Sequence, residues 1–386
     1  MRILHLIHSE GIYGAERILL YLAHEQQQLG HEPIIGSIRD PGTEETPFEA
    51  LARSRGVRVV RIRIAPRPTP GVIRYLLQTV RTLTPDVLHS HGYKPNILLG
   101  PLPRRVRGPM LATLHGWTAA RALSALWLYE QLDRLSLRGI DTVVVVARSM
   151  LQLRVLRTIA PLRRLVIENG IPPLTQRLAD LAAAGAAPLP QDLVEFVARR
   201  PTLVAIGRLS PEKGFSQLLE AFARARSAGG AMMQLLIVGD GSERGPLTQR
   251  IMELQLSDNA RLAGYVEGAD RLLAHAAGFV MSSLTEGMPL VLLEAMQWRV
   301  PILATTVGAI PEILEGGRGL LVPPNDVATL AEGLLRVGQS ERDCAETRGS
   351  GDQAAAEPYS SARMAARYLC AYDAVCARRV HRPTMT

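Results

Sequence analysis

The tightest constraint on this chain is a rhythm. Short apolar strand candidates alternate with helical patterns from the first residues. Arg2–Ile7 reads as a strand and Ala15–Leu29 as a helix. Further strand candidates follow at Ile34–Ile38, Val57–Ile64, Val87–Ser90, Met110–Leu114 and Thr142–Val146. Strands spaced far enough apart to hold a helix between them predict parallel α/β sheets. The chain has 386 residues. That exceeds the roughly 250–300 residues at which a single core stops growing, so two domains are expected. No tandem repeat of solenoid period is visible. The weakest pattern lies between Gln176 and Ala198, rich in Ala, Pro and Leu, with a short helix expected at Gln191–Arg199. The expected layout is an N-terminal domain at 1–172, a linker at 173–200 and a second domain at 201–358.

Composition narrows the classes. Aromatic residues make up 4% of the chain, too few for a base-stacking surface. The three cysteines, Cys344, Cys370 and Cys376, form neither a CxxC pair nor a disulfide framework, which predicts a reducing, cytoplasmic setting. The N-terminus opens on a strand without a signal-peptide pattern, and no apolar run approaches the roughly 18–20 residues of a spanning helix. Charge is uneven. Residues 1–172 carry 23 Lys/Arg against 13 Asp/Glu, and residues 173–386 carry 21 against 23. Arg104-Arg105-Val-Arg107 and Arg154, Arg157, Arg163 and Arg164 are the densest basic groups. Arg121 to Arg138 reads as an amphipathic helix with Leu123, Trp127, Leu128 and Leu132. An anionic membrane surface or an anionic acceptor is the expected partner of this half. No nucleic-acid motif accompanies the charge.

Within this Arg-rich composition, lysine is scarce. The sequence holds 42 arginines and two lysines, Lys94 and Lys213. Lys213 stands in Arg208-Leu-Ser-Pro-Glu-Lys213-Gly214, after an apolar strand ending at Gly207 and before a helix from Phe215 to Ala225. Two cations at the carboxyl end of a strand, beside a helix N-terminus, suit an anionic phosphate. A second element is Glu286-Gly-Met-Pro-Leu-Val-Leu-Leu-Glu294. Its spacing alone decides little, since Glu212 and Glu220 repeat it. The chemistry around it does more. Glu286 falls in a loop and Glu294 on a helix started at Pro289, with free N–H groups from Gly287 to Leu290 between them.

Taken in order, these stretches resemble glycosyltransferase family 4, the group 1 glycosyltransferases. The resemblance runs through most of the chain. It includes Tyr13-Gly-Ala-Glu16, His91-Gly92, Thr113-Leu-His115-Gly116, Glu168-Asn-Gly-Ile171 and Gly207-Arg208 through Lys213-Gly214. It continues with Val238-Gly-Asp-Gly241, the Glu286–Glu294 element, Val307-Gly-Ala-Ile-Pro-Glu312 and Gly319-Leu-Leu-Val-Pro-Pro324. Ala147 departs from the family, where Ser often follows the hydrophobic strand.

The resemblance implies an α/β fold of the GT-B type, two Rossmann-like domains facing across a cleft. In it the terminal segment, 359–386, crosses back to the N-terminal domain. It implies a retaining glycosyltransferase that moves a sugar from a nucleotide sugar to a glycan or lipid-linked acceptor, in surface polysaccharide or glycolipid synthesis. The expected setting is cytoplasmic, or peripheral at the inner face of the membrane. No cofactor is expected beyond the nucleotide-sugar co-substrate, and no Asp-x-Asp metal motif is present.

The implied catalytic residues are Arg208, Lys213, Glu286 and His115. Donor binding falls to Gly14, Gly207, Gly239, Asp240, Tyr265, Val266, Gly287, Met288, Pro289, Leu290 and Glu294. Acceptor binding falls to Tyr13, Glu16, His91 and Lys94. Gly11 lies in the same first loop as Gly14. Glu294 would hold the ribose diol and Glu286 the donor sugar hydroxyls. Three other readings compete. One is a nucleotide-sugar epimerase of similar fold, and another a non-catalytic nucleotide-sugar-binding protein. The third is a nicotinamide-dependent oxidoreductase, suggested by Gly239-Asp-Gly241-Ser-Glu-Arg-Gly245, which has one residue too many before its third glycine.

Overall fold

The structure is a computed structural model and describes residues 1–9, 11–65, 67–116, 125–338 and 357–378. The chain divides into two units. Unit 1 is Met1–Ile171 with Tyr359–Thr386, and unit 2 is Pro172–Pro358.

Unit 1 is built on seven strands: β1 (Arg2–Ile7), β2 (Glu32–Arg39), β3 (Arg58–Arg63), β4 (Val87–His91), β5 (Met110–Leu114), β6 (Thr142–Val145) and β7 (Arg164–Val166). They pair in parallel in the order β3-β2-β1-β4-β5-β6-β7. β4 and β5 are buried at every residue, as expected of central strands with both faces covered. The order reverses between β1 and β4. In such a sheet the carboxyl ends of the strands flanking the reversal leave a crevice for a ligand. Helices start where polar caps allow. Thr46 accepts from the Glu49 N–H ahead of the helix Pro47–Ser54, and Thr69 accepts from the Val72 N–H ahead of Pro70–Leu83.

The terminal helix, Ser361–Ala377, belongs to unit 1. Its buried residues include Met364, Ala365, Tyr368, Ala371, Tyr372 and Val375, one face of a 3.6-residue period. That face covers β4, β5 and the first helix, Gly14–Gln28. The Glu168-Asn-Gly-Ile171 stretch anchors its start. Ile171 N–H donates to Tyr359 O, Ser361 N–H donates to Ile171 O, and Arg367 pairs with Glu168. A side chain at Gly170 would place its Cβ 2.2 Å from Ser360 O, so this crossing requires glycine.

Unit 2 holds six parallel strands: β8 (Thr202–Ile206), β9 (Gln234–Val238), β10 (Ala260–Gly264), β11 (Gly278–Met281), β12 (Ile302–Thr305) and β13 (Leu320–Val322). Their order is β10-β9-β8-β11-β12-β13, so this sheet reverses between β8 and β11. Its core joins Leu203, Ala205, Phe222, Leu235, Ile237, Leu303 and Leu334, all fully buried. Residues 173–200 fold as two helices, Leu174–Ala183 and Gln191–Arg199, and both fall within unit 2.

The basic clusters are less free than their sequence suggests. Arg104 and Arg107 both pair with Asp141, at 3.1 and 2.9 Å, and Arg107 is buried. Arg163 donates to the Arg138 and Ile140 carbonyls. Arg105, Arg154 and Arg157 are exposed. The amphipathic stretch is described as the helix Ala125–Ser136, with Leu128 and Leu135 exposed one heptad apart. Arg121, Leu123 and the Trp127 side chain lie outside the described residues, as do Cys344 and most of the segment 341–358. Among the described residues no helix is long and apolar enough to cross a membrane.

Candidate active site

In unit 2 the site forms where the sheet reverses. The loop after β8 carries Gly207, Arg208 and Lys213, and the loop after β11 carries Ser282 to Pro289. Backbone contacts tie the two loops together. Leu284 N–H donates to Glu212 O at 2.8 Å, and Ser282 Oγ donates to Lys213 O at 3.0 Å. Gly214 sits at φ +63°, and a Cβ there would lie 2.2 Å from Ser282 O. Both its conformation and its contact demand glycine. The Lys-Gly pair therefore has a local reason: the glycine lets the loops close, and closure sets the lysine.

Lys213 Nζ donates to Glu286 Oε1 at 2.5 Å, and Ser283 Oγ donates to the same oxygen at 2.7 Å. The Lys213 and Glu286 side chains are 21% and 11% exposed, so their charges meet in a partly desolvated place. Arg208 points more to solvent and pairs with Glu212 at 2.7 Å. The helices Phe215–Ser227 and Leu290–Trp298 both start at these loops and present the positive ends of their dipoles there. Pro289 caps the second helix, with Leu290 its first residue, and Met288 and Leu290 are buried. Gly287 O accepts from the Ala309 N–H in the loop after β12.

Glu294 is 2% exposed and lies 3.7 Å from Arg177 Nη1. Arg177 also pairs with Asp270 at 2.8 Å and donates to Gln297 Oε1. Trp298 Nε1 donates to Asp270 as well. Arg177, in the segment expected as linker, thus braces the helix that carries Glu294. Its signal in sequence was slight: a lone arginine among Leu, Ala and Thr. Gly239 and Gly241 serve the β8 loop. A Cβ at Gly239 would fall 1.9 Å from Gly207 O, and one at Gly241 would fall 2.3 Å from Leu209 O. Asp240 is exposed and accepts from the Gly241 N–H. Tyr265, 73% exposed, and the half-buried Val266 follow β10, two strands from the reversal.

In unit 1 a pocket of about 280 Å³ opens at the carboxyl ends of β1, β4 and β5. Glu16, His91, His115, Glu130 and Asp133 are among its polar walls. Glu16 is buried and accepts from the Tyr13 N–H, which fixes the start of the first helix. Asp133 accepts from Asn96 at 2.9 Å, and burial pushes its carboxyl up to about 6. Tyr13 is exposed, and a Cβ at Gly14 would meet nothing within 4 Å, whereas one at Gly11 would meet the Tyr13 ring. Lys94 is not among the pocket's walls. It pairs with Asp40 at 3.0 Å, and that hydrogen bond holds the Asp40 carboxyl below its usual range.

Behind the pocket lies a feature the sequence reading missed. Four of the nine histidines meet inside unit 1. The parallel register sets His5 beside His89 and Ile7 beside His91. His5 Nδ1 lies 3.0 Å from His91 Nε2, and His91 Nδ1 lies 3.0 Å from His115 Nε2. Burial lowers all four, His5 and His115 to about 4. They are neutral imidazoles at neutral pH. His5, His89 and His91 are also spaced closely enough to share a metal ion. The His-x-His pattern at 89 and 91, two residues on one strand face, was the available signal.

The family model described as "Glycosyl transferase 4-like domain" matches residues 13–170, and the model "Glycosyl transferases group 1" matches residues 200–340. The amylovoran biosynthesis glycosyltransferase AmsK of Erwinia amylovora is 33% identical over 36% of this chain. That match covers 37% of its own length, well short of two thirds. The N-acetyl-alpha-D-glucosaminyl L-malate synthase of Bacillus anthracis is 25% identical over 74% of both chains. The crystal structure of Anabaena Alr3699/HepE in complex with UDP superposes with a TM-score of 0.77 at 19% identity, covering 97% of this chain and 100% of that one. That likeness establishes the expected two-domain α/β fold of the GT-B type.

Proposed function

We propose that this chain, which belongs to the group 1 glycosyl transferases, moves a sugar from a nucleotide sugar to a glycan or lipid-linked acceptor, in surface polysaccharide or glycolipid synthesis. The observation that carries this reading is the Lys213–Glu286 pair at the reversal of the second sheet, with Arg208 on the same loop. In the transfer, the bond between the anomeric carbon and the diphosphate oxygen breaks, and a bond from the acceptor oxygen forms. Negative charge grows on the leaving diphosphate. Fixed cations aimed at it stabilise the transition state more than the ground state. Lys213 is held by Glu286, whose carboxylate also accepts from Ser283, so its ammonium needs little reorganisation. We assign to Glu286 the donor sugar hydroxyls and to Glu294 the ribose diol. The bond forms on the face from which the leaving group departs, with retention, and the acceptor proton passes to a diphosphate oxygen. Arg208 and Lys213 neutralise the diphosphate without a bridging cation.

A thermal-shift panel of nucleotide sugars tests donor binding without an acceptor, because a ligand that binds the folded state raises its stability. The Anabaena structure contains UDP, so uridine nucleotides head the panel. Transfer to membrane-derived acceptors, with the donor that shifts the melting point, tests the activity. An isomerised nucleotide sugar would instead mark an epimerase, and binding without turnover would mark a binding protein. The transfer is expected to survive EDTA. Complete loss, restored by magnesium or manganese, would overturn metal independence.

A further inference from the structure

The buried histidines of unit 1 belong to a longer chain of hydrogen bonds. His5 Nε2 lies 2.8 Å from Gln26 Oε1, and the Gln26 amide donates to Tyr372 Oη at 3.4 Å. Tyr372 Oη lies 2.7 Å from His89 Nδ1. His89 Nε2 lies 2.7 Å from Thr113 Oγ1, which lies 3.0 Å from Tyr368 Oη. At the other end His115 lines the pocket. Its Nδ1 is buried without a hydrogen-bond partner among the described residues.

The donors can be counted along this chain. A neutral imidazole has one N–H and one lone pair. The Gln26 carbonyl oxygen only accepts, so His5 donates from Nε2 and its Nδ1 is a lone pair. His91 must then donate from Nε2 to His5, which leaves its Nδ1 a lone pair. His115 must donate from Nε2 to His91. On the other branch the Gln26 amide donates to Tyr372, and with the Tyr372 proton placed on His89 Nδ1 the hydroxyl has only lone pairs left for that amide. His89 then donates from Nε2 to Thr113. Every nitrogen but one is satisfied, and the exception is His115 Nδ1.

We infer that His91, His5, Gln26 and Tyr372 act as positioning residues that hold His115 as its Nε2–H tautomer, so that Nδ1 offers a lone pair to a hydroxyl of the ligand in the unit 1 pocket. The second half rests on the transferase reading of that pocket, and the first does not. The terminal helix thereby gains a chemical role, because Tyr372 orients the Gln26 amide and the amide sets the direction of the whole chain. A reversed relay, with His115 carrying its proton on Nδ1, requires the Gln26 amide to turn over. A metal ion on His5, His89 and His91 would break the count, because those nitrogens already face one another or a hydroxyl.

The test is ring-¹⁵N NMR of histidine-labelled full-length protein without substrate. A single His115 signal set with the proton on Nε2 is expected. Protonation on Nδ1, or an equimolar transition metal found by elemental analysis, would overturn the relay. Tyr372→Phe keeps the ring and frees the Gln26 amide, so it should yield both His115 tautomers. It should also lower kcat/KM for transfer about fivefold, the net worth of one hydrogen bond. Gln26→Glu keeps an acceptor for His5 and should keep the single tautomer. Mixed tautomers in Tyr372→Phe with unchanged kcat/KM would refute hydroxyl acceptance by His115. A single tautomer there would refute orientation by Tyr372. Because the spectrum is read without substrate, absence of transfer beside the expected tautomer would count against the transferase reading and leave the relay standing.

Discussion

At the residue scale, the proposed transfer rests on side chains that their neighbours set in place. Lys213 is held at 2.5 Å from Glu286, in a loop closed by Gly214. Lys213→Ala should leave the fold intact and lower kcat by about 10²–10³, roughly 2.7–4 kcal/mol of transition-state stabilisation. Near-wild-type turnover in a variant with an unchanged circular dichroism spectrum would remove Lys213 from the phosphate site. The histidines predict a stability profile. Unfolded histidine titrates near 6.5, whereas burial holds folded His5 and His115 down to about 4. Between those values the unfolded chain binds protons that the folded chain refuses. Stability is therefore full above about pH 6.5 and falls as the pH drops toward 4, by on the order of 3 kcal/mol for His5 alone. Asp133, raised to about 6, acts in the opposite sense, since its folded form takes a proton first. Four histidines outweigh one carboxyl. Urea denaturation at pH 7 and pH 5 measures the difference, and equal midpoints would contradict the neutral buried cluster.

At the scale of elements, the first six strands of unit 1 and the strand before Gly207 were legible, and the braces were not. Met110–Leu114 and Gln191–Arg199 have the boundaries that apolar run length and Pro/Arg flanks predict. Central strands advertise themselves because both faces are buried. Leu174–Ala183, whose Leu and Ala favour a helix, was hidden by the prolines around it, Pro172 and Pro173 before and Pro188 and Pro190 after. His5 and His89 were hidden for another reason: they are 84 positions apart, and only the β1–β4 register brings them together. The two glutamate pairs show how context decides where spacing cannot. Glu294 is buried on the helix Leu290–Trp298, which follows the loop that is hydrogen-bonded to the β8 loop. Glu220 lies on Phe215–Ser227 and pairs with Arg250 at 2.7 Å. Glu294→Gln should weaken nucleotide-sugar binding at least tenfold by calorimetry, with little loss of stability because Arg177 keeps Asp270. Glu220→Ala should change neither. Equal effects of the two variants on affinity would mean that another element holds the ribose.

For the whole molecule, the question is what the division of charge serves. Residues 1–172 hold an excess of ten positive charges, and 173–386 an excess of two negative ones. Part of the basic excess is internal: Arg104 and Arg107 neutralise Asp141, and Arg163 satisfies backbone carbonyls. What remains for a surface includes Arg105, Arg154 and Arg157, in the same unit as the exposed Leu128 and Leu135 of the helix Ala125–Ser136. Exposed arginines and leucines of this kind suit an anionic bilayer, where each basic residue near the surface contributes about 1 kcal/mol and salt screens the attraction. A lipid-linked acceptor would be met at that surface. Full-length protein should co-sediment with vesicles in proportion to their anionic lipid, and less so as salt rises. Replacing Arg105, Arg154 and Arg157 together by Ser removes three exposed charges and no buried pair. It should weaken sedimentation by roughly tenfold or more while leaving the donor-induced thermal shift unchanged. Including Arg107 in such a variant would confuse the result, since its loss leaves Asp141 with Arg104 alone and takes the donor from the Gly108 and Gly139 carbonyls. If wild-type protein ignores anionic vesicles at low salt, the basic half serves an anionic soluble acceptor instead, and the same three arginines should then govern the KM for that acceptor.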